Sequence, residues 1–440
     1  MLIFSTAHSP RLQYMVDLIS RELCITDATI TSDREVFSLY EGVRINYSEK
    51  QVTQAEFHIV PVSLLFESNV RSQQPECFSW YGMKAFFASP GNDLPFDIFA
   101  AIFFLVSRYE EYLPFEPDRF GCFPHTASIA WREGFLQEPL VNNWLMQLEV
   151  LLKKKFPAAI FRRKNFTFIP TYDIDMMYAY RYKGLKRNTG GFFRSILRKE
   201  YSSAFQRLNV LRGEEKDPYD AYEWLDALHL YCRVNPVYFF LVAQQQKGYD
   251  RNIPTDTRPF QELIHYYAAT HKVGLHPSWQ SSIAATDEII KEEKEWMEAV
   301  ADLSITKSRQ HYIKLNLPGT YERLYRCGIR QDFSMGYGSI NGFRASMASS
   351  YYWFNLTTNS ATDLMLYPFC FMDANSYYEQ KHTPQQAYTE LMRFYAAVKK
   401  VRGCFITIWH NNFLGSDPMY REWKDLYEIF MKEDAYWDAG

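Results

Sequence analysis

A two-unit α/β protein is the fold class the sequence predicts, with a smaller α/β unit over residues 1–160 and a distorted (β/α) barrel over 161–440. Three observations predict it. The chain has 440 residues, more than one ordinary core holds, so two domains are the default expectation. From about residue 161 onward, apolar strand-like runs alternate with helical segments, the pattern of a parallel sheet flanked by helices. Nearly every one of those strands ends on polar residues, which in a parallel α/β barrel converge on one mouth, the face where chemistry is done.

The first unit opens on a strand, then a helix around "RLQYMVDLISREL" and the apolar strand "FHIVPVSLLF". The helix "FDIFAAIFFLVSRYEEYL" follows, and "NNWLMQLEVLLKKKF" closes the unit. No Gly/Ser linker marks the junction near "RRKNFTF". In the second unit the strands are "FTFIPTYDID", "NPVYFFLVA", "HKVGLHPSW", "SRQHYIKL", "IRQDFSMGY", "LMLYPFCFMD" and "CFITIWHNN". Helical segments such as "DAYEWLDALHLYC", "RPFQELIHYYAAT" and "PQQAYTELMRFYAAVKKV" lie between them. Gly328 and Gly403 fall just past two of the helices, where a left-handed cap favours glycine. The polar strand ends are Asp173 and Asp175, His276 with Ser278, Arg309 with His311, Asp332, Asp373, and His410 with Asn411.

An aromatic-rich chain with a net charge of −3 is globular rather than disordered and has no electrostatic footprint for nucleic acid. The longest apolar run, "IFAAIFFLV", is too short to span a bilayer and reads as a buried helix. "MLIFSTAHSPRLQ" lacks the basic-then-apolar order of a secretory signal. The seven cysteines have neither zinc nor disulfide spacing and read as reduced thiols, so a cytoplasmic location is expected.

Thr171-Tyr172-Asp173-Ile174-Asp175 carries the chemistry furthest. Asp-x-Asp on a strand points both carboxylates to one face, roughly 6–7 Å apart at the backbone. Two such groups repel, so they call for a cation or a shared proton between them. "GLHPSW" adds a histidine at another strand end. An Asp and a His from neighbouring strand ends suit a divalent metal with mixed oxygen and nitrogen ligands.

The order of motifs resembles the NodB-like polysaccharide deacetylases, a metal-dependent carbohydrate esterase family. Thr171–Asp175 looks like that family's opening motif, and Gly274-Leu275-His276 like its second. Arg309 in "SRQHY", Asp332 in "DFSMGY" and His410 in "FITIWH" look like the later ones. The resemblance spans about residues 165–415 and implies a polysaccharide deacetylase-type barrel. It implies that Asp173 is the general base, that Asp175 and His276 bind a divalent metal (Zn first, with Co, Ni or Mn as alternatives), and that His410 protonates the leaving group. Arg309 would orient Asp173, and Asp332 would hold the tautomer of His410. The family's next ligand falls where this chain has Gln280. His311 is the first choice to complete the site; Gln280 or water is the second, and loss of the metal the third.

The implied function is metal-dependent removal of an N- or O-acetyl group from a polysaccharide or cell-surface glycan precursor. The alternatives are an inactive glycan-binding protein and another metal-dependent C–N hydrolase acting on a small amide. Arg344 in "GFRAS" is a candidate for an anionic part of the substrate. Trp279, Tyr337, Trp353 and Trp409 are candidates for stacking on sugar rings, with core packing as the competing reading. The basic insertion 181–212, interleaved with Phe, Ile and Leu, reads either as a solvated lid or as a peripheral contact with the inner membrane that grips a lipid-linked glycan precursor. "RYEEY" and "DRFG" in the first unit resemble an accessory domain of bacterial surface-glycan proteins. Glu110, Glu111 and His125 read there as surface residues.

Overall fold

The computed structural model describes residues 1–433 apart from 26, 92 and 163. Strands β1 (Leu2–Phe4), β2 (Thr29–Thr31), β3 (Arg44–Tyr47) and β4 (Phe57–Ile59) form a parallel sheet in the order β2-β1-β3-β4. The run expected to be one long strand stops at Ile59, because Pro61 follows and a 3₁₀ turn takes Ser63–Phe66. The helix Pro10–Glu22 starts where Ser9 Oγ accepts the Leu12 N–H and Pro10 takes the first helical turn. Helix Ile98–Val106 is buried at all nine positions, which is why its sequence is apolar on every side. It ends sooner than expected, at a left-handed Arg108 (φ 55°), and Tyr109–Tyr112 is a 3₁₀ turn. A hairpin of β5 (Phe78–Trp80) and β6 (Met83–Ala85) and the helix Leu140–Lys155 complete this half.

The second sheet has nine strands: β7 (Thr167–Ile174), β8 (Val237–Leu241), β9 (Lys272–His276), β10 (Lys307–Ser308), β11 (Gln331–Asp332), β12 (Tyr351–Asn355), β13 (Ser360–Leu366), β14 (Phe371–Met372) and β15 (Cys404–His410). Their order is β12-β13-β11-β10-β9-β8-β7-β15-β14, parallel except for the β12–β13 hairpin. The fold is mixed α/β. Among the described residues no ladder joins β14 to β12, so the expected barrel is not closed by hydrogen bonds there. Strand β10 is also far shorter than "SRQHYIKL" suggests. The chain leaves it at Arg309 and enters a 3₁₀ turn over His311–Ile313, with Tyr312 (φ 56°) and Ile313 (φ 49°) left-handed.

The first sheet and the β12–β13 end of the second share an apolar core. The cluster around Leu12, Met15, Ile98–Val106 and Trp144 runs on without a break into Tyr321, Tyr351, Trp353, Phe354 and Leu366 of the second half. Tyr14 Oη donates to the Tyr352 carbonyl at 2.7 Å across that junction.

Candidate metal and active site

Strand alternation sets the site. In β7, Tyr172 points into the helix-covered core and stacks on Tyr238, so Asp173 faces the other way, and Asp175 follows one residue past the strand end. Strands β8 and β15 flank β7, placing His410 level with Asp173. Asp173, Asp175, His276, His311 and His410 line one cavity of about 670 Å³.

Asp175, His276 and His311 each offer a ligand atom within 4.8 Å of the others. His276 Nε2 lies 3.1 Å from Asp175 Oδ1, and His311 Nε2 lies 3.5 Å from Asp175 Oδ2. The far side of each ring is committed. His276 Nδ1 is 2.6 Å from the Arg309 carbonyl, which only accepts, so Nδ1 carries the proton. His311 Nδ1 is 3.1 Å from Asp250 Oδ1. In their neutral forms both rings therefore turn an Nε2 lone pair towards Asp175, the arrangement that outer-sphere partners impose on metal-binding histidines. Asp175 Oδ1 is buried without a hydrogen-bond partner. Burial pushes the Asp175 carboxyl up, yet His311, His276 and His410 outweigh it and hold it well below the usual carboxylate range. His311, pushed down by burial, is raised to about 9 by Asp175 and Asp250. One carboxylate with two imidazoles fits a divalent cation such as zinc.

Two dyads flank this triad. Arg309 Nη1 donates to Asp173 Oδ1 at 2.8 Å, both groups being fully buried, while its Nε donates to the Phe333 carbonyl and its guanidinium lies 4.4 Å from the Phe239 ring centre. That leaves Asp173 Oδ2 towards the cavity, 4.0 Å from His276 Nε2. On the other side His410 Nδ1 meets Asp373 Oδ1 at 2.7 Å, and the His410 N–H donates to Asp373 Oδ2 at 2.7 Å. His410 Nε2 sits 3.7 Å from Asp175 Oδ2. Burial lowers the His410 imidazole, but Asp373, Asp175 and Asp173 together push it up to about 10.

Several expected residues lie elsewhere. Asp332 does not hold His410; it accepts from the Ser308 and Ser334 hydroxyls, both at 2.9 Å, on a strand four places away from β15's neighbour β7. Gln280 is not part of the triad: it sits on the short helix Trp279–Ile283, and its N–H donates to Asp250 Oδ2. Arg344 is 1% exposed and spends its guanidinium on Glu111, at 2.8 and 2.6 Å, so it is a buried pair and not a substrate contact. Glu111, expected at the surface, is buried with it and also accepts from Arg108 Nε. Tyr337 is buried against Arg108, and Trp409 packs between Phe371 and Tyr427 in the core. Trp279 packs against Phe120, Tyr249 and Tyr312, which line the cavity.

Four residues with no expected role also contribute. Asp373 was visible as a strand end but received no role. Asp250, from the loop after β8, gave no signal at all. Arg119 and Phe120, from the first half, form part of the cavity wall, with Phe120 against Tyr249 and Tyr312 and Arg119 paired to Glu379.

Residues 1–157 match a family described as a family of unknown function (DUF7033). No curated protein matches the chain. Among solved structures it overlaps a protein described as a polysaccharide deacetylase from Mycobacterium smegmatis, at 14% identity over 64% of this chain and 90% of that one, with a TM-score of 0.39. A polysaccharide deacetylase from Bacillus cereus overlaps at 12% identity over 62% and 90%, TM-score 0.29. PuuE allantoinase overlaps at 9% identity over 62% and 86%, TM-score 0.37. Overlaps this loose say nothing of chemistry, which rests on the side chains described above.

Proposed function

We propose that the protein is a metal-dependent hydrolase that removes an acetyl group from a glycan or glycan precursor. The observation that carries this is the Asp175–His276–His311 triad set between the Arg309–Asp173 and Asp373–His410 dyads in a single cavity. A divalent cation, when bound by the triad, supplies a Lewis acid that polarises the acetyl carbonyl and the attacking water. Asp173 takes the proton of that water as oxygen adds to the acetyl carbon. Arg309 fixes the carboxylate through Oδ1, so that Oδ2 does the work. When the C–N or C–O bond breaks, His410 Nε2 delivers a proton to the departing nitrogen or oxygen, and acetate leaves. Asp373 holds that ring by Nδ1, so the donor atom faces the cavity. The aromatic rim of Phe120, Tyr249, Tyr312 and Tyr378 supports a sugar-bearing substrate over a small amide.

The test is acetate release from N-acetylated and O-acetylated oligosaccharides after zinc or cobalt loading, beside small amides. Asp173→Asn is expected to lose at least ~10²-fold in kcat while keeping its fold and its metal. Asp175→Ala and His276→Ala are expected to lose metal and activity together. Turnover retained by Asp173→Asn would remove the base from this scheme, and glycan binding without turnover in the loaded wild type would make the protein a binder.

The basic insertion forms two helices, Gly184–Leu197 and Tyr201–Arg212. Leu185, Phe193 and Leu197 stand on one exposed stripe, beside a second stripe of Lys186, Arg194 and Arg198. Nine Lys or Arg against one Glu over 181–212 favour an anionic surface over water alone. This hairpin is our choice for contact with the membrane that carries a lipid-linked precursor. Co-sedimentation with phosphatidylglycerol vesicles is expected, with loss on Phe193→Ser/Leu197→Ser; equal binding to phosphatidylcholine vesicles would contradict it. Among the described residues no helix is long and apolar enough to cross a membrane.

A further inference from the structure

We propose that the chain binds a second divalent cation through Asp226, His229 and His271, at the opposite end of the sheet from the cavity. Each of the three offers a ligand atom within 4.8 Å of the others. Asp226 and His229 stand three apart on the helix Tyr222–Cys232, hence on one face. His271 ends the helix Arg258–Thr270 and immediately precedes β9, whose last residue is His276. Five residues of extended chain separate the two histidines by roughly 17 Å, so the cluster is no extension of the first site.

The side chains are prepared for a cation. His229 is 2% exposed; its Nε2 meets Tyr172 Oη at 2.6 Å, while Nδ1 is buried with no hydrogen-bond partner. Tyr172 Oη also pairs with Tyr427 Oη, so it can donate there while accepting the His229 Nε2–H, and in that tautomer the lone pair is on Nδ1. Asp226 accepts from Tyr266 Oη at 3.0 Å and Tyr267 Oη at 3.2 Å, phenols that aim the carboxylate as outer-sphere partners do. His271 Nε2 lies 3.4 Å from Asp226 Oδ1, and its ring stacks on Tyr267. A buried, unsatisfied nitrogen is costly, and a cation bound there removes that cost. Two imidazoles and one carboxylate leave a coordination position for water and suit zinc. Bound so, the ion staples the helix Tyr222–Cys232 to the root of β9. Its role is structural.

The probe is zinc itself. Chelator-treated wild type, equilibrated with Zn²⁺ and desalted, is expected to retain about two ions per chain, and Asp175→Asn/His276→Ala about one. Adding Asp226→Asn or His271→Ala to that background is expected to remove the remaining ion and the zinc-dependent rise in melting temperature. The two additions are made separately, with circular dichroism on each, so that one misfolded variant does not decide the result. No zinc in Asp175→Asn/His276→Ala, or zinc that survives both additions, would overturn the proposal. A single wild-type ion lost in Asp226→Asn yet kept in Asp175→Asn/His276→Ala would uphold this site and overturn the metal of the cavity.

Discussion

At His276 one hydrogen bond decides what the ring can do: the Arg309 carbonyl accepts from Nδ1–H, so the neutral ring has only an acceptor left for the cavity. His410 is the opposite case. Asp373 stabilises its charged form, and the ring holds a proton far above neutrality. Asp373→Asn removes that carboxylate, so the imidazolium becomes the weaker partner and its pKa falls. The alkaline limb of the pH–kcat profile is expected to move to lower pH in Asp373→Asn and to stay in place in Asp332→Asn, measured from pH 6 to about 10. The choice between these two aspartates was not legible in the sequence. Both end strands, and only the strand order shows that β14 lies beside β15 while β11 lies beyond β10. Trp409, by contrast, was readable: next to a His410 that faces the cavity, alternation alone sends it into the core.

Short strands do much of the positioning at the level of elements. Strands β10, β11 and β14 have two residues each, so Arg309, His311, Phe333 and Asp373 sit on turns that begin as soon as the ladder ends. The left-handed Tyr312 and Ile313 follow directly on His311, a cost of order 1–3 kcal/mol each that packing must offset. No sequence pattern announces such a stop, and a strand was therefore expected through Leu315. The hairpin β12–β13 was missed for a related reason: its two runs are broken by Leu356–Asn359 and not by a Gly-containing turn. The helix Glu288–Ala301 reaches under the site, where Glu293 Oε2 accepts the Ser278 N–H. Burial raises this carboxyl from 4.5 to about 7. Ionising it is therefore harder in the folded chain than in the unfolded one. Stability is full below about pH 4.5 and falls as the pH rises through about 7, by about 3 kcal/mol at most. Glu293→Gln keeps the shape and removes the charge, so its melting temperature is expected to lose less between pH 5 and about 8 than that of the wild type. An unchanged slope would mean that Glu293 is not responsible.

Over the whole molecule, the two units are joined by a continuous core and by one buried ionic knot, Arg108 and Arg344 on Glu111. Burial pushes the Glu111 carboxyl up, but the two guanidiniums outweigh it and hold it low. Glu111→Gln leaves two buried cations without their partner and is expected to cost about 3–5 kcal/mol, read as a lower denaturation midpoint with the cavity residues untouched. The alternation of strands and helices made the second unit legible, and the apolar run at 98–106 the heart of the first. Their fusion was not, since a core shared over 300 positions leaves no periodic trace in either half. The turn at Asp118–Cys122 shows what that fusion means. It belongs to the first half, its Phe120 carbonyl is held by Lys314 of the second, and its side chains wall the cavity. A divergent version of residues 1–157 would thus change Arg119 and Phe120 in the cavity wall around an unaltered set of acids and imidazoles. Part of what shapes the cavity can drift with one half of the chain while its acids and imidazoles stay with the other.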